Sequence, residues 1–288
     1  MTPTLVRQHP PHAGATPRVN PSARARDWSE IQERMLVPLY EAVYERVEVG
    51  AGTRLLGMGC GSGLALLMAA SRGAAVTGVE SSSHERLALA RQRLLPEAWG
   101  TRAHGEARLV DGSPGDLAAA ADARTPAYTL VTAFEPIGCL AGDSEGLGEA
   151  LAAVTPLAER GAPVVLAGWG PPERCATSSV LRVATKLADP LRSTGSWRPA
   201  LRDDLEEVAQ RAGLRPDGSG RVACPFGYAD VDSAVRGLLS TGLFDAAIAA
   251  TDQAQVDKEV TEALHPHLRQ DGTVWMPNVF RYLIARVP

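Results

Sequence analysis

Short apolar runs alternate with amphipathic stretches of helical length through most of this chain, and that alternation constrains its fold more than any other feature. "TRLLGMG" (53–59), "AAVTGVE" (74–80), "ARLVDG" (107–112), "YTLVTAF" (128–134) and "APVVLAGWG" (162–170) read as five buried strands. "GLALLMAASRG" (63–73), "SHERLALARQRLL" (83–95) and "LGEALAAVTPLAERG" (147–161) read as helices between them. Strands that are apolar along their whole length, rather than on alternate residues, belong to a parallel sheet covered on both faces. The predicted class is α/β, a doubly wound, Rossmann-like sheet with helices on either side.

Beyond this core, "RDDLEEVAQRAGL" (202–214) reads as a helix and "SGRVACPF" (219–226) as a sixth strand. Two helical stretches follow, "DVDSAVRGLLSTG" and "QAQVDKEVTEALHPHL", and the strand "NVFRYLIARV" ends the chain. Residues 1–26 hold five prolines and four arginines with little apolar periodicity, and are expected to form a flexible tail. "DWSEIQERMLVPLYEAVYERV" (27–47) is expected to be a helical cover over residues 27–50, N-capped by Asp27 and broken or kinked at Pro38. The domain then spans 27–288, with a helical insertion at 230–270 before the last strand.

The four cysteines, Cys60, Cys139, Cys175 and Cys224, are widely separated and form no C-x-x-C pair, so no zinc site or redox pair is expected. They read as small buried hydrophobes in a reducing compartment. No apolar run approaches membrane-spanning length, and the N-terminus lacks a signal-peptide core; the expectation is a cytoplasmic protein without a membrane partner. The net charge is −4, which argues against nucleic acid as a partner, because phosphate affinity comes from clustered cations. A small-molecule substrate and a monomer or homodimer are expected.

In "RLLGMGCGSGL" (54–64) the first strand runs into a loop with glycines at alternate positions, Gly59, Gly61 and Gly63. A glycine turn at the carboxyl end of a parallel strand lets a ligand approach the backbone, and the helix behind it presents free N–H groups. The dinucleotide fingerprint G-x-G-x-x-G/A is completed in no register, which disfavours a nicotinamide cofactor. The second strand ends in Glu80, 17 residues past Gly63, where a carboxylate can accept hydrogen bonds from both hydroxyls of a ribose.

"LLGMGCGSG", "VTGVE", "ARLVDGS", "YTLVTAF" and "APVVLAGWGPPER", taken in order, resemble the successive motifs of class I S-adenosylmethionine-dependent methyltransferases. The nearest likeness is to the small-molecule enzymes of the ubiquinone/menaquinone-biosynthesis type common in bacterial secondary metabolism. The resemblance covers about residues 28–288. It implies seven strands, the last antiparallel and inserted beside the sixth, and methyl transfer from S-adenosylmethionine, with S-adenosylhomocysteine as product. It further implies that Gly59, Cys60, Gly61 and Gly63 line the methionine part of the cofactor and that Glu80, with Ser81, holds the ribose. Gly112 and Ser113 would flank the adenine, Phe134 would lie near the sulfonium, and Trp28 would close over the site. A second use of the same fold stays open, in which the cofactor or its product is bound without methyl transfer.

The chain departs from the family pattern twice. The acid usual two residues before the first loop glycine is Gly57 here; an acid restored there is expected to orient the loop, provided the position has room. Ser113 stands where an Asp often receives the adenine amino group, with Asp111 and Asp116 as substitutes. If the acceptor is a hydroxyl, Glu135, just after the fourth strand, is the best-placed base, with His265 and His267 as weaker candidates. "GWGPPER" lacks the Asn of the N-P-P-Y signature and follows the fifth strand rather than the fourth, so methylation of nucleic-acid bases is disfavoured.

Overall fold

Along the central strands, successive apolar side chains point to opposite faces and so build two cores. Leu55, Leu130, Val165 and Ala167 belong to one, and Leu56, Val131, Val164 and Leu166 to the other. This pattern is what lets helices cover both sides. The computed structural model describes residues 20–95, 106–121, 126–139, 143–188 and 204–288.

The chain opens with helix α1 (Pro21–Asp27), a π-helical turn at Trp28–Gln32, a 3-10 turn at Glu33–Leu36 and α2 (Val37–Arg46). The alternating core follows: β1 (Arg54–Met58), α3 (Leu64–Ser71), β2 (Ala75–Glu80), α4 (His84–Leu94), β3 (Ala107–Asp111), α5 (Pro114–Ala120), β4 (Leu130–Ile137), α6 (Leu147–Val154) and β5 (Pro163–Trp169). Then come α7 (Thr177–Ala188), α8 (Asp204–Arg211), β6 (Arg215–Ala223), β7 (Phe226–Tyr228), α9 (Val231–Ser240), α10 (Asp245–Ala250), α11 (Gln253–Leu264), β8 (Val274–Met276) and β9 (Val279–Arg286). Seven strands form one sheet in the order β3-β2-β1-β4-β5-β9-β6, with β9 antiparallel to both neighbours, as the resemblance implies. β7 and β8, on either side of α9–α11, pair separately as a short two-stranded antiparallel sheet that sequence reasoning did not anticipate.

The N-terminal segment differs from expectation. Its first helix starts at Pro21, capped by the Asn20 side chain, which accepts from the amides of Ser22 and Ala23. Asp27 caps nothing with its side chain and lies 3.9 Å from Arg236 of α9. Residues 21–26, expected in the tail, are therefore helical, and residues 1–19 lie outside the described residues. Pro38 falls where the expected interruption occurs: the 3-10 turn ends at Leu36 and α2 begins at Val37, so the proline occupies a first turn, where its missing N–H leaves no α-helical bond unmade. The irregular winding lies upstream, at Trp28–Leu36, where the helix passes over the glycine loop. In the insertion, three helices stand where two were expected, with α10 between the pair read from the sequence.

The centre of the sheet depends on a pair of glycines. Gly57 of β1 and Gly78 of β2 are directly paired in the parallel ladder. Together they form a notch that receives Leu66 of α3: a Cβ on Gly57 would meet Leu66 Cδ2 at 2.8 Å, and one on Gly78 would meet Leu66 Cδ1 at 2.5 Å. Leu66 is itself fully buried. A side chain at position 57 thus requires Leu66 to shift, so the condition of room attached to a restored acid is not met in the present packing. Gly57→Asp should destabilise the fold by at least about 2–3 kcal/mol, through overpacking and burial of an unpaired carboxylate. Leu66→Ala should recover part of that loss in the same background. Thermal unfolding of the two variants checks this, and a wild-type melting temperature for Gly57→Asp would contradict it.

Candidate functional site

The loop after β1 turns back on itself through three left-handed residues, Gly59 (φ 58°), Gly61 (φ 57°) and Gly63 (φ 80°). L side chains rarely adopt these angles, so the alternate glycines are a geometric requirement of the turn. The Cys60 amide donates to Val79 O (3.0 Å), which ties the loop to β2, and the Gly63 amide donates to Cys60 O (2.9 Å).

Glu80 ends β2 under this loop and is only 3% exposed. Its Oε2 accepts from the Gly61 amide (2.8 Å), and its Oε1 accepts from the amide (2.8 Å) and hydroxyl (2.5 Å) of Ser82. A second carboxylate reaches the loop from above. Glu33, 2% exposed, accepts from the Ser62 hydroxyl and from Arg93 Nη1 (2.9 Å), and its Oε1 faces the Leu64 amide at 3.5 Å. That position, at the amino end of α3, favours an anion. Arg93 also donates to Ser62 O (2.9 Å) and Ser29 Oγ (2.6 Å), so one guanidinium joins the N-terminal segment, α4 and the loop.

Trp28 and Arg86 complete the roof. A Cβ on Gly61 would stand 3.2 Å from Trp28 Nε1, and that buried indole nitrogen has no hydrogen-bond partner. Arg86 lies 4.3 Å from the Trp28 ring centroid and donates to Ser240 O of α9 (2.7 Å). Burial pulls the Arg86 guanidinium below its ordinary range, against the opposing charges of Glu135 and Glu80.

Between floor and roof lies a narrow cleft of about 30 Å³, bordered among others by Tyr40, Thr132, Phe134 and Glu135. It has room for about two waters. A larger polar cavity of about 340 Å³ adjoins it beneath α1 and α10, and Arg86 and Glu135 border both. Glu135 has substantial accessible surface although protein atoms surround it densely, because that surface faces these cavities. Burial raises its carboxyl above the ordinary range, against Arg86 and with help from Glu80 and Asp143.

The structure sorts the predicted residues. Gly59, Cys60, Gly61, Glu80, Phe134, Trp28 and Glu135 converge on the cleft. Burial pushes the Cys60 thiol up to about 12, so it stays protonated and unreactive. Phe134 packs against Tyr40 (centroids 4.9 Å apart) and Tyr44 (5.8 Å). Gly63 does not face the cleft: a Cβ there would meet Ala90 at 3.0 Å, so its smallness serves the packing of α3 on α4. Ser81 and Gly112 are not on the cleft wall, although the Gly112 amide donates to Glu80 O (3.1 Å). Ser113 is the N-cap of α5, in a reciprocal capping box with Asp116. Asp111 pairs with exposed His84 (2.8 Å).

His265 and His267 sit in a 3-10 turn beside β8, away from the cleft, and His267 Nε2 lies 3.4 Å from Ser179 Oγ. Glu33, Arg86 and Arg93 were missed by sequence reasoning. The only signal for Glu33 was a charge at a position that packs inward in the helical repeat. Among the described residues no cluster of three metal-ligating side chains occurs, and no helix is long and apolar enough to cross a membrane.

The residues present suit an adenosyl ligand in type. The glycine turn leaves the backbone bare, a carboxylate stands at the end of β2, and an indole N–H is buried without an acceptor. The space does not yet suit it, because Trp28 and the Glu33 carboxylate stand against Gly61, with Arg86 stacked on the Trp28 ring.

No protein-family model matches this sequence, and no curated protein matches it. Solved structures do. YjhP from E. coli is 17% identical and aligns over 93% of this chain and 100% of its own, with a TM-score of 0.53. A SAM-dependent methyltransferase from Thiobacillus denitrificans, in complex with S-adenosyl-L-homocysteine, is 17% identical over 94% and 99% of the two chains (TM-score 0.50). The [4+2]-cyclase SpnF is 16% identical over 87% and 80% (TM-score 0.50). At these identities the likeness establishes the fold, which is that of class I methyltransferases.

The buried Glu33–Arg93 pair should be costly to break from one side. Glu33→Gln leaves Arg93 without its counter-charge and should cost about 3 kcal/mol. Glu33→Leu combined with Arg93→Leu should cost less than the two single losses added together. Urea unfolding measures both, and additive losses would show that the pair is not coupled.

Proposed function

We propose that this chain binds S-adenosylmethionine against the Gly59–Gly61 turn and transfers its methyl group to a small-molecule acceptor. The observation that carries the reading is the coincidence, at the carboxyl ends of β1, β2 and β4, of a left-handed glycine turn, a buried acid and an unpartnered indole N–H. Ligands bind such sheets at their carboxyl ends.

Bound there, S-adenosylmethionine supplies an activated methyl group on a sulfonium. The chain's own tasks are alignment of the acceptor and exclusion of water. Leu36, Tyr40 and Phe134 give the cleft an apolar wall that suits the second task. Glu80 already receives three donors from the protein, and a carboxylate has about four acceptor sites. It would hold a ribose hydroxyl through the remaining site, or through both oxygens if the Ser82 hydroxyl turns away. Gly112 and Ser113 would serve the adenine through their backbone, since the Ser113 side chain caps α5. For a hydroxyl acceptor, Glu135 would take the proton. Binding requires Trp28 to leave the space above Gly61 and the Glu33 side chain beside it to give room, so the N-terminal segment would act as a cover over the bound ligand.

One specific observation favours a second reading, in which the ligand is bound without methyl transfer. The fold also accommodates SpnF, named for a [4+2]-cyclase. Release of S-adenosylhomocysteine in the presence of an acceptor separates the two readings.

Calorimetry should show binding of S-adenosylhomocysteine and none of NAD. Gly61→Val should abolish that binding, because the branched side chain would strain the turn and enter the space beneath Trp28. Gly52→Val, at a glycine with nothing within 4 Å of a Cβ, is the control and should bind as the wild type does. Unchanged affinity in Gly61→Val would overturn the assignment.

A further inference from the structure

The polar cavity of about 340 Å³ beneath α1 and α10 is of ligand size, since small-molecule pockets run from about 300 to 1,000 Å³. Several charged groups on its wall are already engaged. Asp245 pairs with Arg24 (2.9 Å), and Glu85 accepts from the Ser83 hydroxyl (3.3 Å). Arg86 is different. Its guanidinium lies 4.3 Å from the Trp28 ring centroid and its Nη2 donates to Ser240 O (2.7 Å), but its remaining N–H groups have no hydrogen-bond partner among the described residues. No ion pair joins it to Glu135, which borders the same two cavities.

This cation also stands where the fold disfavours one. Arg86 belongs to the first turn of α4, at the positive end of the helix dipole. Burial weakens its hold on the proton, and the like charge of Arg24 on the same cavity wall adds to that, against Glu135 and Glu80. Of those two acids, Glu80 already receives the amides of Gly61 and Ser82 and the Ser82 hydroxyl. A half-buried guanidinium on a cavity wall, with donors unspent, is matched by a group that brings negative charge and more than one acceptor oxygen. We propose that this cavity is the acceptor pocket and that Arg86 anchors an anionic oxygen group of the acceptor, a carboxylate or a phosphate; the proposal rests on the methyl-transfer reading above. Arg86 and Glu135 border both the cavity and the cleft at the glycine turn, so an acceptor held at Arg86 lies where the two spaces meet. Arg86 therefore selects anionic acceptors over neutral ones of the same shape.

The test titrates the full chain with acetate, inorganic phosphate and acetamide, by ligand-observed NMR at constant ionic strength, with and without saturating S-adenosylhomocysteine. At least one of the two anions should bind and acetamide should not; the tighter anion identifies the group. Arg86→Gln should weaken that anion tenfold or more, and Arg86→Lys, which keeps the charge, should lose less. Arg211→Gln, at an exposed arginine of α8, is the control and should bind as the wild type does. Melting temperatures establish that the variants are folded. Acceptor and cofactor must be held together, so S-adenosylhomocysteine should leave the anion bound. The proposal is overturned if neither anion binds, if acetamide binds as well as acetate, or if Arg86→Gln binds the anion as the wild type does. It is also overturned if S-adenosylhomocysteine displaces the anion, which would put the anion in the cofactor cleft. If S-adenosylhomocysteine does not bind the wild type, the cofactor reading fails and the acceptor role falls with it, whereas loss of the anion in Arg86→Gln would still assign an anion site to Arg86.

Discussion

The buried contact between Glu33 and Arg93 joins the two halves of this site. One carboxylate, from the segment that covers the sheet, meets a guanidinium from α4, the Ser62 hydroxyl and the amino end of α3. The contact holds the covering segment in place, together with the Arg86–Trp28 stack and the buried Tyr228–Gln32 hydrogen bond. Burying such a pair is not in itself strongly stabilising. Its consequence is geometric, because the cover can sit in only one register over the loop. The π-helical and 3-10 winding of Trp28–Leu36 belongs to the same constraint. Inserted π turns are frequent at functional sites, and this one faces the glycine turn.

Beneath the loop, the paired glycines of β1 and β2 let Leu66 sink between two strands. That packing draws α3 close to the sheet and sets where its amino end, and hence the loop, projects. It also makes any side chain at position 57 of β1 compete with Leu66 for the same space. The negative charge on the cleft comes instead from three other elements: the N-terminal segment, the end of β2 and the end of β4. The site is therefore assembled from residues far apart in the chain, and each depends on how closely the helices approach the sheet.

This explains what could be read from the residues alone. The strands and the loop were legible because they rest on local signals: apolar runs, alternate glycines, and an acid at a strand end. The place of β9 between β5 and β6 followed from the family resemblance, and the sheet bears it out. The roles of Gly57, Gly63 and Ser113 were not legible. Gly57 and Gly63 owe their smallness to side chains on other elements, Leu66 and Ala90, that no local pattern announces. Ser113 obeys a local rule, the capping box with Asp116, but a short helix rich in Ala and Gly carries too little periodicity to reveal itself. Glu33 and Arg93 were missed for a related reason. A buried charge looks like a surface charge until its partner, 60 residues away, is placed beside it.

The structure of this protein with S-adenosylhomocysteine bound would test the account most directly. The account predicts the ligand over the Gly59–Gly61 turn, with its ribose against Glu80 and Trp28 displaced from its present position above Gly61. A ligand bound elsewhere on the chain, or one whose ribose lies away from Glu80, would contradict it.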